Sequence, residues 1–189
     1  LYQLTIEDGT AFGDRFKRGL LRGLPSEDLS VDLWDITQEL CSDAGLAAYE
    51  VSNHAKIDQV SRHNLTYWRS GDWAGIGPGA HGRLTLDEVR YESVSAKMPA
   101  AWLERVQAGR GGDVIWDVLD GDSVTEERLL MGLRMAEGIE MPGDWIFEKS
   151  HVINELVDEK HLITSNRRLS VSASGRPLLN AIIGRLLAS

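Results

Sequence analysis

The sequence predicts an α/β chain in two parts: a strand–helix–strand region of parallel sheet or barrel over residues 1–95, and a mostly helical, winged-helix-like unit over 113–189. Three observations predict it. An alternating run, a well-capped helix and a second short strand follow one another before residue 52, the strand–helix–strand order of a parallel sheet or barrel. The texture then changes: Gly109, Gly111 and Gly112 fall in a polar setting that reads as a flexible break within a linker over 96–112. Beyond it come helices, two short strands about a turn and a last helix, the order of a winged helix.

Each element has its own signal. Tyr2-Gln3-Leu4-Thr5-Ile6 alternates as a strand does, and the chain opens inside it without Met, as a piece of a longer protein would. Residues 9–13 read as a loop. Ser26 is an N-cap, with Glu27 and Asp28 in the first turn and Val31, Leu33, Ile36 and Leu40 at helical spacing, the helix ending near Gly45. Residues 47–51 form a short strand, and in parallel sheets ligands sit at the C-terminal strand ends, where Glu50 to Asn53 leave it. A long loop over 54–70 carries a turn of helix at 63–68, and 73–77 reads as a strand running into a Gly-rich turn. Leu84, Val89 and Tyr91 flank a hairpin turn near Asp87 and Glu88. Helices follow over 101–108, 124–136 and 151–159; 162–164 and 169–171 flank the turn Asn166-Arg167-Arg168; Gly175 and Pro177 precede a final helix with Leu178, Leu179, Ile182, Ile183 and Leu186.

Composition narrows the function. The 189 residues are 42% apolar and 26% charged, in the globular range, and the net charge of −9 opposes a nucleic-acid or anionic-membrane surface. The tail's Lys149, Lys160, Arg167, Arg168, Arg176 and Arg185 are opposed by Glu148, Glu155, Asp158 and Glu159, so no cationic face for DNA emerges. No run reaches the ~20 apolar residues of a spanning helix. A single Cys excludes an internal disulfide and fits the cytoplasm.

The chemistry concentrates in three strings: Tyr49-Glu50-Val51-Ser52-Asn53, Arg62-His63-Asn64-Leu65-Thr66-Tyr67-Trp68 and Gly75-Ile76-Gly77-Pro78-Gly79-Ala80-His81-Gly82. Polar groups at that density are costly unless satisfied or used. As a dinucleotide fingerprint the glycines are wrongly spaced, and Pro78 removes an N–H that a phosphate cradle would need. Absent side chains do allow close approach of backbone to a flat ligand. His63 and His81 fall two ligands short of a zinc site; each could instead hydrogen-bond its own loop. Arg62 offers a fork for a carboxylate or an ion pair with Glu50 or Asp72. Tyr67 and Trp68 either stack on a flat ligand or anchor the loop to the core. Asn53 and Asn64 fit a role pinning loop backbone.

These strings, with Leu1-Tyr2-Gln3-Leu4-Thr5-Ile6-Glu7 ahead of them, resemble the radical-SAM oxygen-independent coproporphyrinogen III oxidase-like family (HemN/HemW), and within it most of all the HemW haem-chaperone branch. The resemblance runs the length of the chain and is strongest over 49–82. It implies the C-terminal part of a radical-SAM partial (β/α) barrel with a capping hairpin over 1–95, followed over 113–189 by the family's C-terminal winged-helix-like domain, with S-adenosyl-L-methionine, a 4Fe-4S cluster and haem as cofactors or cargo. One departure is decisive: the family's Cys-x3-Cys-x2-Cys signature is absent, and Cys41 alone, in an apolar-spaced segment, reads as a small packed thiol. The chain is therefore expected to be a C-terminal fragment that is inactive by itself. The resemblance implies that Gly77, Gly79 and Ala80 lie by the S-adenosylmethionine and tetrapyrrole site, that His63 or His81 is an axial ligand to porphyrin iron, and that Arg62 meets a propionate. Haem binding and delivery, with haem or porphyrin and haem-acceptor proteins as partners, is the leading function. Oxidative decarboxylation of coproporphyrinogen III is the alternative, and a regulatory winged-helix module a third.

Overall fold

A computed structural model describes residues 4–188 and divides the chain into two compact units, Leu1–Val60 and Ser61–Ser189. The first unit carries helices α1 (Ala11–Lys17) and α2 (Glu27–Asp43) and the two-residue strands β1 (Ala47–Ala48) and β2 (His54–Ala55). α2 starts where expected, the Ser26 hydroxyl accepting the Leu29 N–H at 3.2 Å, and Gly45 at φ 70° follows its end. Three expectations change here. The loop at 9–13 is instead the start of α1, because the Thr10 hydroxyl caps it through the Gly13 N–H (3.0 Å) and Gly13 lies against the Glu7 carbonyl, where a side chain would not fit. Leu4 to Ile6 are not in a strand, and Tyr2 and Gln3 lie outside the described residues. β1 pairs with β2 antiparallel, Ala48 opposite His54, so the pairing at the end of the strand–helix–strand segment is a tight return and not a parallel crossover.

The second unit opens with α3 (Arg62–Trp68), capped by the Ser61 hydroxyl. Strands β3 (His81–Leu86) and β4 (Val89–Ser95) form the expected hairpin; Asp87 and Glu88 at φ 48° and 65° make its two-residue turn, the conformation whose twist matches the strands. The structure differs over 96–112. That interval holds α4 (Pro99–Gln107), and the chain returns as β5 (Asp113–Val118), third strand of an antiparallel sheet in the order β3-β4-β5. The return is tied shut by Ala96 N–H to Gly112 O (2.9 Å), by Ser95 Oγ to Asp113 Oδ1 (2.6 Å), and by Trp102 lying on Gly112.

Helix α5 (Gly121–Gly132), N-capped by Asp120, leads into β6 (Ile139–Glu140), α6 (Gly143–Glu148), α7 (Ser150–Asp158), β7 (Leu162–Ser165), β8 (Arg168–Val171) and α8 (Leu179–Ala188). The hydrogen bonds that Asp120 accepts from Ser123 hold its carboxyl below the usual carboxylate range. The small sheet runs β6-β8-β7, and Asn166 at φ 56° turns the wing. The main buried core lies here: Leu129, Leu133, Met141, Leu156, Leu162, Leu169, Ile182 and Leu186 are all sealed from solvent. Gly132 abuts Ile139, and Gly138, at φ 67°, abuts the Leu169 carbonyl, so both contacts need the missing side chain.

One ionic network joins the three-stranded sheet to the helical core. Glu127 of α5 takes Arg83 of β3 at 2.7 Å and Arg90 of β4 at 3.1 Å, while Asp72 holds Arg90 at 3.3 Å and Glu92 lies 3.5 Å from Arg83. The side chains of Arg83, Arg90 and Glu127 are only 16%, 10% and 15% exposed. Removing one member strands desolvated charge. Glu127→Ala is expected to cost roughly 2–4 kcal/mol in urea unfolding, somewhat under the ~3–5 kcal/mol of a fully buried pair. Arg167→Ala, which breaks a pair exposed on both sides, should shift stability by about 0.5 kcal/mol or less. Equal losses in the two variants would contradict the network's role.

Candidate functional site

The second and third chemistry-bearing strings meet through aromatic rings. His63 and Tyr67 are one helical turn apart on α3, so they share a face. The Tyr67 hydroxyl and His63 Nε2 are hydrogen-bonded at 2.9 Å, and the rings meet edge to face at 4.7 Å. Tyr67 meets Trp73 in the same way, also at 4.7 Å. Trp73 and Arg83 exchange main-chain hydrogen bonds of 2.7 and 2.9 Å, and the Trp73 indole donates to the His81 carbonyl at 3.1 Å. The Arg83 and Arg90 guanidiniums lie 5.8 and 6.0 Å from the centre of the Trp73 ring. Tyr67 is thus used by its neighbours. Trp68 is half-buried beside Arg134, whose guanidinium is 5.9 Å from the ring; burial lowers the Arg134 pKa, and the Trp68 indole N–H has no partner among the described residues.

The Gly-rich string is shaped by two different needs. Gly75 lies directly against the His81 main chain, and a side chain on Gly82 would come within 2.6 Å of Ser93 Oγ and 3.0 Å of the Gly75 nitrogen. These two glycines let 73–75 run against β3. Gly77 and Gly79 have φ of 108° and 70°, so they are there for conformation. No heavy atom approaches within 4 Å of where a Gly77 side chain would begin. The Gly79 N–H is bonded to Ala96 O, the Ala80 N–H to Gly77 O, and the Ala80 carbonyl accepts from Ser95, so this backbone is not a set of free donors.

The two candidate histidines therefore differ. His63 has its Nε2 engaged by Tyr67; His81, exposed at the start of β3, has no side-chain partner among the described residues. Arg62 is exposed, and Asp72, one of the ion-pair partners considered for it, is occupied by Arg90 and by the Thr85 N–H and hydroxyl. In the first unit, Glu50 is buried and accepts from the Ser52 N–H (3.2 Å) and hydroxyl (3.4 Å). His54 Nε2 meets Gln38 Oε1 at 3.2 Å, and burial lowers its pKa. The residues the sequence did not single out are Arg83, Arg90 and Glu127, paired across separations of up to 44 positions that no local pattern signals, and Asp72 is paired with Arg90 and not with Arg62.

No protein-family model matches the chain. It is 34% identical over 204 residues to the radical S-adenosyl methionine domain-containing protein 1, mitochondrial, of Danio rerio, covering 99% of this chain and 45% of the relative. To the heme chaperone HemW of Lactococcus lactis it is 34% identical over 197 residues, covering 99% of this chain and 49% of the relative. An 89-residue stretch is 44% identical to the heme chaperone HemW of Escherichia coli, covering 47% and 22%. The Escherichia coli coproporphyrinogen III oxidase (HemN) structure, a radical SAM enzyme, superposes with a TM-score of 0.64 at 14% identity, covering 86% of this chain and 42% of that one. The chain matches the HemN/HemW-like family. It is mixed α/β, as expected, and spans about half the length of the curated relatives it matches.

A radical-SAM family implies a 4Fe-4S cluster, and the residues of this HemN/HemW-like chain do not fit one. A cluster needs several converging thiolates, whereas the sequence has one Cys, half-buried Cys41 in α2, and the described residues contain no group of three or more metal-ligating side chains.

The two kinds of glycine make a crossing prediction. At Gly79, in left-handed backbone with ordinary clearance, Asn is tolerated better than Ala, so Gly79→Asn should be the milder change, both costing about 1–2 kcal/mol or less. At Gly75 the obstacle is the His81 main chain, so Ala should cost about 1–3 kcal/mol and the larger Asn more. Thermal melts of the four variants check the order; the same ranking at both positions would contradict this account.

Proposed function

We propose that this chain belongs to a haem-binding and haem-delivering protein and that His81, beside the Gly77–Gly79 turn, supplies an axial ligand to the iron. The observation that carries the proposal is the exposed His81 imidazole, without a side-chain partner among the described residues, next to backbone kept bare at Gly77. A porphyrin iron asks for only one or two protein donors, and neutral imidazole is its common ligand. The flat macrocycle needs a surface without side chains, which Gly77, Gly79 and Ala80 offer. Arg62, exposed and outside the Asp72 network, is the fork for a propionate. Tyr67 and Trp68 serve the reading indirectly, by fixing α3 and the Trp73 segment.

Support comes from the relatives named heme chaperone HemW. A single exposed ligand on a strand end also suits cargo that must leave, because an acceptor protein can approach the other face of the iron. In the whole protein, S-adenosylmethionine and a 4Fe-4S cluster would be held by residues this sequence does not contain, and the chain by itself is proposed to cleave no S-adenosylmethionine. The cytoplasm is proposed as its compartment on the strength of one free thiol. The HemN fold likeness keeps coproporphyrinogen III oxidation as a second reading. A DNA-binding winged helix is disfavoured, since Arg185 is taken by Glu155 and Glu159 and Arg167 by Glu140.

Titrating haem into the chain and following the Soret band tests this. His81→Ala should weaken binding and move the band with far-UV circular dichroism unchanged. His63→Ala should leave the bound spectrum alone and lower stability by ~1 kcal/mol, the worth of its bond to Tyr67. Unaltered affinity and spectrum in His81→Ala would overturn the assignment.

A further inference from the structure

A cation stands beside the Gly77–Gly79 turn. A Cβ on Gly79 would lie 3.8 Å from Lys97 Cα and 3.9 Å from Lys97 Cγ, so the start of the lysine side chain runs along this glycine. Main-chain hydrogen bonds fix the place. The Gly79 N–H donates to the Ala96 carbonyl at 3.0 Å, the Ser95 N–H to the Ala80 carbonyl at 2.8 Å and the Ala96 N–H to the Gly112 carbonyl at 2.9 Å, and Ala96 is itself buried. Pro99 then opens α4. Lys97 thus rises from held backbone on the β4 side of β3, whereas Arg62 belongs to α3, which Tyr67 joins to Trp73 on the other side of β3.

The lysine charge is unmatched. Lys97 is exposed and makes no hydrogen bond or ion pair among the described residues. Carboxylates of the neighbouring strands are engaged elsewhere: Asp113 Oδ1 accepts from Ser95 Oγ at 2.6 Å, and Glu92 lies 3.5 Å from Arg83. Acidic residues outnumber basic ones by 29 to 20, and Arg83 and Arg90 of the same sheet are both held by Glu127, so a lysine left unpaired beside bare backbone is open to an anion from outside the chain.

We propose, resting on the haem-binding reading, that Lys97 selects the ligand of this turn by pairing with an ionised carboxylate on the rim of the tetrapyrrole. The class of ligand is then a porphyrin with free acid side chains, in preference to the same macrocycle with those acids esterified. A flat ring lying on Gly77, Gly79 and Ala80 brings its rim, where haem carries its propionates, to the side chains that border the bare backbone. Lysine suits the position because its ammonium is a point charge on a flexible stem, able to follow a propionate that is itself flexible, while the planar fork of Arg62 imposes direction.

Titrations of the chain with haem and with haem dimethyl ester, both kept monomeric in mild detergent and followed by their Soret bands, test this. Lys97→Gln should raise the dissociation constant for haem about fivefold, the upper end of what an exposed ion pair supplies, and leave that for the ester unchanged. Lys97→Arg should keep most of the affinity for haem, Lys97→Glu should lose more than Lys97→Gln, and added salt should narrow the gap between haem and ester. The Soret position of bound haem should be the same in all three variants, because the ligand to iron is untouched. Equal losses for haem and ester in Lys97→Gln, or no loss for either, overturn the proposal. The iron assignment fails separately: a band unmoved in His81→Ala contradicts the His81 ligand, whereas a band that moves in His81→Ala with haem affinity unchanged in Lys97→Gln leaves His81 standing and removes Lys97. A chain that binds neither ligand overturns both.

Discussion

A single carboxylate ties two strands of the three-stranded sheet to the helical core of the second unit. Glu127 is shared by Arg83 and Arg90, which stand on adjacent strands, and it comes from the helix whose other residues, Leu129 among them, belong to the sealed core. The arrangement has a price in desolvation, so its worth lies less in net stability than in specificity. Apolar contact alone would let the hairpin slide on α5. Charges that must each find a partner fix the register, since any slip strands a guanidinium in a poorly solvated place.

What the clamp fixes is the base of the proposed site. Arg83 and Arg90 both lie by Trp73, Trp73 grips the His81 carbonyl, and Tyr67 and His63 extend the same chain of contacts to α3. The aromatic residues of Arg62-His63-Asn64-Leu65-Thr66-Tyr67-Trp68 are therefore scaffold in large part, and the open element is the turn they support. Gly75 and Gly82 permit close approach, Gly77 and Gly79 supply the conformation, and His81 projects from the strand that follows. A rigid base with one exposed donor suits binding that is specific yet reversible.

Much of this was legible in the sequence, for local reasons. Ser26 announced α2, Asp87 and Glu88 the hairpin turn, and Asn166 the wing, because caps and turns are decided by a few adjacent residues. Strand β5 was missed because the glycines before it suggested a break; Val114-Ile115-Trp116-Asp117-Val118 is rich in β-formers, but its edge position depends on β4, 18 positions or more away. Helix α1 was hidden by glycines on both sides of its cap, and α6 lacks a side-chain cap altogether. The site divided in the same manner: the Gly-rich turn and both histidines stood out, whereas Arg83, Arg90 and Glu127 look like ordinary surface charges until the fold brings them together with Asp72.

The central claim is that haem meets the chain at the turn before β3. Hydrogen–deuterium exchange with and without haem reads this directly, peptide by peptide. The account predicts slowed exchange concentrated between residues 75 and 82, with β7 and β8 of the wing unchanged. Haem binding that leaves 75–82 exchanging as before, or that protects only the wing or α8, would contradict it.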